Sequence, residues 1–397
     1  MKKLDFIFFD AGGGHRAAAT ALHLVIRQQQ RPWEVRLVNL QEVLDPLDIF
    51  RKYTGLRLQD VYNLILKRGW TLGSAHLLRI LHFMIRLYHR GQVRLLEEFW
   101  GRSRPDLVVS LVPNFNRAIA QSLRQTLPGV PFVTILTDLA DYPPHFWMER
   151  ESEYFICGTG RAVQQARAMG HAAERVFRTS GMILHPRFYQ PVAVERIAER
   201  KRLGLHPDLP TGLVLFGGYG APAMLPIARL AQRLERSRRD LQLILICGHN
   251  RKLRQRLLRT PHRRPWLVEG FTSEVPYYMA LSDFFIGKTG PGSVSEALAM
   301  KLPVIVPSNA WTMPQERFNA RWLRDSDLGV VVRSFREIGA AVDELLEPSN
   351  FARYRAAAAQ LSNRAVFEIP DILETILATH PPPTTSHCPR THCLDTA

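Results

Sequence analysis

Cysteine is scarce in this chain: four in 397 residues, at Cys157, Cys247, Cys388 and Cys393. No paired framework crosses the folded part, which excludes a disulfide-stapled secreted scaffold and fits a reducing compartment. Long apolar runs are lacking too. Nothing approaches the roughly 20 uninterrupted apolar residues of a spanning helix, so any membrane contact is expected to be peripheral. The start, Met1–Phe9, has two lysines and a short apolar run, as a signal peptide has. Asp5 breaks that run and Asp10 with three glycines follows it, so the segment reads as a buried first strand. Carboxylates are under-represented: 36 acidic residues face 52 basic ones, a formal charge of +16. That excess calls for an anionic partner, and nucleic acid, anionic lipid and phosphorylated substrates all qualify. The basic runs Arg229–Arg239 and Arg251–Arg264 have few aromatics between them. A nucleic-acid groove pairs positive charge with stacking rings, so solvated helix faces are the better reading and no nucleic-acid partner is expected. His387-Cys388 and His392-Cys393 lie in a proline-rich tail and define no metal site.

What is present is a repeating alternation. At 397 residues and 46% hydrophobic content, two globular domains are the natural expectation. Strands are predicted at Leu4–Phe9, Val35–Leu40, Asp106–Leu111 and Val130–Leu136, with helices at Ala17–Gln29 and from Asn116. The pattern restarts with strands at Gly212–Phe216, Leu241–Cys247, Phe284–Ile286 and Leu302–Val306. Short apolar runs alternating with helical periods predict α/β architecture, parallel sheets covered on both faces, in two Rossmann-like halves. Pro186 and Pro191 interrupt both periods, which puts the boundary near His185–Val194. The expected units are 1–188, 189–350, terminal helices over 351–379 and a disordered tail from 380 to 397. Residues 51–104 break the alternation and read as a basic amphipathic insert. Leu77, Leu81, Met84 and Tyr88 fall on one helical stripe; Arg79, His82, Arg86 and Arg90 form a second. Such a helix resembles a membrane-surface element, with Arg79, Arg86 and Arg90 as the contacts.

Two glycine turns follow strands and open helices. Gly12-Gly13-Gly14-His15 lets backbone approach a ligand at a helix N-terminus, but it lacks the G-x-G-x-x-G spacing. Gly287-Lys288-Thr289 resembles the end of a phosphate-binding Walker loop, yet the glycine required five places earlier is Ser282, which excludes that reading. The longer run Gly287-Lys-Thr-Gly-Pro-Gly-Ser-Val-Ser-Glu296 offers backbone donors, a hydroxyl and a lysine around one helix start, suited to a pyrophosphate. Glu296, about one turn further, can accept bonds from a ribose diol. Gln315, Glu316 and Asn319 follow Pro314 and can read sugar hydroxyls.

These motifs carry a resemblance. Asp10-Ala-Gly-Gly-Gly-His15-Arg-Ala, Pro105-Asp106, Thr137-Asp138, Gly217-Gly218-x-Gly220, Cys247-Gly248-His-Asn-Arg-Lys252, Gly270-Phe271, Lys288-Thr-Gly-Pro-Gly-Ser-x-Ser-Glu296-Ala and Gln315-Glu316 with Asn319 follow one another in order. The chain resembles the diacylglycerol glycosyltransferases typified by monogalactosyldiacylglycerol synthase, related to the peptidoglycan transferase MurG, over residues 5 to 370. The resemblance implies a glycosyltransferase B fold: two Rossmann-like domains facing a cleft, with C-terminal helices packing back on the N-terminal domain. It implies inverting transfer from a UDP-sugar without a cofactor or bound metal. Phe271 would lie near the uracil, Ser293 and the Gly290–Gly292 backbone near the phosphates, and Glu296 on the ribose. Gln315 and Glu316 would meet the sugar, and Gly218, Gly220, Lys288, Thr289 and Asn319 would also bind the donor. Gly13 and Gly14 would form an acceptor-side loop.

An acceptor hydroxyl must lose a proton as it attacks, and Asp138, at a strand end beside the cleft, is the first choice of base. His15 is the second, or a cation for the donor phosphate. Two positions depart from the family: Val112 stands where a histidine precedes Pro113, and Pro144 stands at the histidine spacing before Trp147, with His145 one place late. Both belong to the acceptor side. The sequence therefore predicts hexose transfer to a lipid acceptor, diacylglycerol first, on the cytoplasmic face of the cell membrane. The alternatives are a soluble UDP-sugar epimerase, or a transferase to a non-lipid acceptor, of the same fold. A non-catalytic nucleic-acid binder is the third reading.

Overall fold

The computed structural model describes residues 1–10, 13–47, 82–142, 145–151, 154–218, 220–221, 223–228, 241–261 and 265–380. Two six-stranded parallel sheets organise them. The first runs β2 (Trp33–Asn39), β1 (Lys2–Phe8), β3 (Leu107–Ser110), β4 (Phe132–Ile135), β5 (Tyr154–Cys157), β6 (Val176–Arg178). The second runs β12 (Gly329–Val332), β11 (Val304–Pro307), β10 (Phe284–Gly287), β7 (Thr211–Leu215), β8 (Gln242–Ile246), β9 (Trp266–Glu269). The central strands are buried along their whole length, LVVS in β3 and QLILI in β8, because helices cover both sheet faces. Each expected strand is present, displaced by one or two residues at its ends. Four strands without an expectation, β5, β6, β9 and β12, are three or four residues long, too short to show a period.

Sheet order fixes where ligands can go. In each half the chain builds outward from its first strand to one side, then returns to build on the other. The crevice at that reversal, at the C-terminal ends of the strands, is the site such sheets offer. In the first half it lies between β1 and β3, at the Gly13–Gly14 turn. In the second it lies between β7 and β10, at Gly217–Gly220 and Gly287–Gly292. The turns after β7 and β8 touch backbone to backbone: His249 N–H donates to the Gly218 carbonyl at 2.8 Å. A Cβ on Gly248, whose φ is +57°, would sit 2.1 Å from that carbonyl oxygen, so only glycine fits.

The chain crosses between halves twice, side by side. Leu184 and Phe188 already pack in the C-terminal core. On the return, the helix Pro348–Gln360 contributes Tyr354 and Ala358 to the C-terminal clusters. The helix Ala365–Thr379 then buries Val366, Ile369, Leu373, Ile376 and Leu377 against Leu4, Phe6 and Leu22 of the first half. The two crossings are tied by Asn363 Nδ2 donating to Met182 O at 2.9 Å, and by Ser180 donating to Glu368 through its N–H (2.8 Å) and hydroxyl (2.6 Å).

The basic insert is helical where it is described, over 82–87 and His89–Ser103. Its faces differ from the two stripes read in sequence. His82 turns inward, its Nε2 sharing a 2.6 Å hydrogen bond with Asn114, and His89 does the same with Gln121 at 2.8 Å. Met84, placed on the apolar stripe, is exposed. With Phe83 and Leu87, which are 64% and 62% exposed, it forms an apolar solvent face that Arg86 and Arg90 flank. Leu77, Arg79 and Leu81 lie outside the described residues. No helix among the described residues is long and apolar enough to cross a membrane.

Candidate active site

On the N-terminal side, β1 delivers His15 to the first turn of the helix Gly14–Gln28, and β4 delivers Thr137 and Asp138 just past its end. Nδ1 of His15 and the Thr137 hydroxyl share a 2.9 Å hydrogen bond. Trp147 binds these residues into one unit. It is fully buried, its indole Nε1 donates to Asp138 Oδ2 at 2.8 Å, and its ring lies 5.8 Å from the His15 ring. Its own backbone is fixed from both ends, N–H to Asp141 Oδ1 at 2.7 Å and carbonyl to Asn116 Nδ2 at 2.8 Å. Trp147 entered the sequence reading only as a spacing marker. Its role depends on a nine-residue loop folding back, which no local pattern reveals.

Electrostatics separate the two candidate bases. Burial pushes Asp138 up to about 7, with the Trp147 hydrogen bond opposing; Glu316 adds to the rise and Lys288 resists it. A carboxylate with that value is poised to exchange a proton near neutral pH. Burial pushes His15 down to about 4, opposed by a hydrogen bond that the ring donates to the Leu111 backbone carbonyl. A neutral imidazole results at pH 7, which corrects the reading of His15 as a cation for phosphate.

On the C-terminal side, Lys288 Nζ lies 3.4 Å from Glu316 Oε1, and the Thr289 hydroxyl donates to Glu316 Oε2 at 3.2 Å. Asn319 Nδ2 donates to the Thr289 carbonyl at 2.7 Å. The helix Pro291–Ala299 begins without an acidic residue, and Pro291 brings no N–H, so the free donors of its first turn belong to Gly292 and Ser293. Thr289 and Asn319, both expected at the donor, are buried (2% and 0% exposed), and the groups above bind the turn to Glu316 and to the helix that follows it. Gln315 is half-buried beside them.

Glu296 is half-buried on the same helix, and burial pushes its carboxyl up to about 7 while Arg187 opposes. Arg187 comes from the turn Pro186–Phe188 between the halves, and it also donates to the Ser273 carbonyl. Sequence reading missed it because nothing around Pro186 resembles a binding motif. Further out, His249 and Phe271 stack at 4.1 Å and 14°. Phe271 is 62% exposed at an open cavity of about 490 Å³ that Arg251, Arg254 and Glu269 also line, a setting in which a flat ring can be held.

The acceptor-side departures have a structural setting. Val112 is fully buried against Trp100 and Ile119, so that position is part of the core. His145 has φ +55°, and its Nδ1 lies 3.2 Å from Glu149 Oε2; burial pushes Glu149 up to about 7. Pro144 lies outside the described residues, as do Gly12, Tyr219 and the His-Cys pairs of the tail. Among the described residues no three His, Cys, Asp or Glu side chains come together as a metal site.

The strands, turns and polar residues of the second half match a known sequence family over residues 212–376. The matching model is that of the glycosyltransferase family 28 C-terminal domain. The resemblance to monogalactosyldiacylglycerol synthases extends well beyond that domain. Synthase 1 of Arabidopsis thaliana is 26% identical over 372 residues, 88% of this chain and 66% of that protein. The probable synthase 2 of Oryza sativa is 28% identical over 396 residues, 93% of this chain and 79% of that protein. The chain thus spans just under two thirds of the Arabidopsis relative. Among solved structures, Acinetobacter baumannii MurG is similar in fold at 13% identity, with a TM-score of 0.58 over 94% of this chain and all of that one. The S. aureus MnaA complex with UDP gives 0.63 at 17% identity, over 95% and 97%. The two halves therefore form a two-domain α/β fold of the glycosyltransferase B kind.

Proposed function

We propose that the protein is a hexosyltransferase that moves a sugar from a UDP donor to the hydroxyl of a lipid, diacylglycerol first among candidates. The observation that carries this reading is the pairing of a buried Asp138, held by Trp147, with the Lys288–Glu316 side of the family 28 domain, close enough to shift its ionisation. Asp138 takes the proton as the acceptor oxygen attacks the anomeric carbon. The new bond forms opposite the breaking bond to UDP, which inverts the configuration. The leaving diphosphate gains charge where the Gly292 and Ser293 N–H groups, the helix start and Lys288 supply positive potential, so that no metal is needed. Glu296 accepts the ribose hydroxyls, and Phe271 lies beside the base.

The lipid acceptor is supported by the likeness to monogalactosyldiacylglycerol synthases across both halves, and by the exposed face of Phe83, Met84 and Leu87 beside Arg86 and Arg90. Apolar side chains flanked by arginines suit the headgroup boundary of an anionic bilayer, each well-placed basic residue adding about 1 kcal/mol. The site is on the cytoplasmic face of the cell membrane. The test is a panel of UDP-hexoses with diacylglycerol in phosphatidylglycerol vesicles, with and without EDTA. Transfer to lipid that EDTA leaves intact is expected. Interconversion of UDP-sugars without transfer would instead establish an epimerase, and transfer only to soluble acceptors would remove the lipid from the proposal.

A further inference from the structure

A second cavity, of about 440 Å³, is lined by Ser308, Asn309, Ala310, Arg317 and Arg321, residues that bracket the Pro314–Glu316 turn along the chain. Arg317 and Arg321 are one helical turn apart and exposed on the helix Arg317–Asp325, and neither forms an ion pair among the described residues. Many arginines elsewhere are paired: Arg16 with Asp10, Arg36 with Asp5, Arg196 and Arg200 with Asp283. Like charges at this spacing repel, so an unpaired pair at a concave surface is a feature that binding, not stability, accounts for. The carboxylate at the start of this helix, Glu316, is turned away toward Lys288 and Thr289, so it does not pair with either arginine.

The opposite wall is held rigidly. Asn309 N–H donates to Thr312 Oγ1 at 2.9 Å, Asn309 Oδ1 accepts from Trp311 N–H at 2.8 Å, and Asn309 Nδ2 donates to Arg333 O at 2.7 Å. Ser308 N–H is anchored to Val332 O at 2.8 Å, while its hydroxyl has no partner among the described residues. Two forked guanidiniums and a free hydroxyl around a preformed cavity match the oxygens of a phosphate. We propose that this cavity binds a phosphate ester, from either a phospholipid headgroup or a soluble phosphorylated compound, separately from the donor diphosphate.

The test uses the full chain and two probes: glycerol phosphate followed by calorimetry, and flotation with phosphatidylglycerol against phosphatidylcholine vesicles. The double variant Arg317→Gln/Arg321→Gln should lose at least about tenfold in affinity for the probe that binds. Binding of glycerol phosphate that the double variant loses identifies a soluble source; vesicle binding that Arg317→Gln/Arg321→Gln weakens in the Phe83→Ser/Leu87→Ser background, without glycerol phosphate binding, identifies a headgroup. The variant Arg256→Gln/Arg259→Gln removes the same charge from another exposed helix face and should lose less than about threefold by general screening. Equal losses in the two variants, or no binding of either probe by the native protein, would overturn the proposal. UDP affinity measured on the same samples reports the donor site independently and should be unchanged in both.

Discussion

Asp138 combines two properties that pull in opposite directions. Its carboxyl is raised from 3.8 to about 7 by burial, so between those values the folded chain holds a proton that the unfolded chain has lost. Its contribution to stability is complete below about pH 4 and is lost as pH rises through 7. Asp138→Asn should therefore raise the melting temperature at pH 8 and lose that advantage toward pH 5, while turnover falls ~10²–10⁴-fold and UDP binding is kept. In the native protein, turnover should rise with pH through about 7 as the base is freed. A turnover in Asp138→Asn equal to the native value would dismiss this residue as the base. Glu296 gives a second test. Ribose hydroxyls stabilise its ionised form, so UDP binding at pH 7 should release protons, read as calorimetric heats that vary with buffer ionisation enthalpy. Glu296→Gln should abolish the release and weaken UDP by roughly 10- to 100-fold. The place of Glu296 on the helix behind Gly290–Gly292 was legible in sequence. Its raised pKa was not, because the rise comes from burial in the folded chain, against which Arg187 from the crossing between halves acts.

Among the elements, the turn at Gly287–Gly292 is held from behind. Asn319→Ala removes the amide that binds the Thr289 carbonyl and leaves a buried acceptor unsatisfied, at a cost of about 1–3 kcal/mol in urea unfolding. The donor KM should rise with it, because the turn then loses its fixed position. Sequence set Asn319 among the donor-binding side chains; in the fold its buried amide binds the Thr289 carbonyl, a contact that the sequence does not reveal. The helix over 82–87 teaches the same lesson at its surface. Its amphipathic character was legible, yet the inward face is set by Asn114, which sequence spacing could not anticipate. Phe83→Ser/Leu87→Ser should reduce binding to phosphatidylglycerol vesicles by ~10-fold or more in flotation, since each fully buried apolar side chain is worth about 1.5–3 kcal/mol. Unchanged flotation would remove this face from the membrane reading.

For the whole molecule, the two halves are joined by more than a linker. The last helix, Ala365–Thr379, completes the core of the first half from the far end of the chain. Leu373→Ala should cost about 2–5 kcal/mol in denaturant unfolding although it lies far from every motif. The loss should appear in the transition that reports the N-terminal half; a loss confined to the C-terminal half would contradict this packing. The paired crossings at Met182 and Asn363 make the relative placement of the halves a property of both segments together.

The sequence alone determined the alternation of strand and helix, the two glycine turns and the family likeness, because each is written in residues close along the chain. The run from Gly287 to Glu296 is a local motif, and its geometry follows from its own glycines and the helix it opens. Tertiary structure decided what the motifs face. Asp138 is raised because the fold buries it, against the Trp147 hydrogen bond; Val112 is core because it falls in one buried cluster with Trp100; and Arg187 acts on Glu296 because the chain crosses there. These are contacts between residues far apart in sequence, and their energies come from burial and proximity that no local pattern encodes.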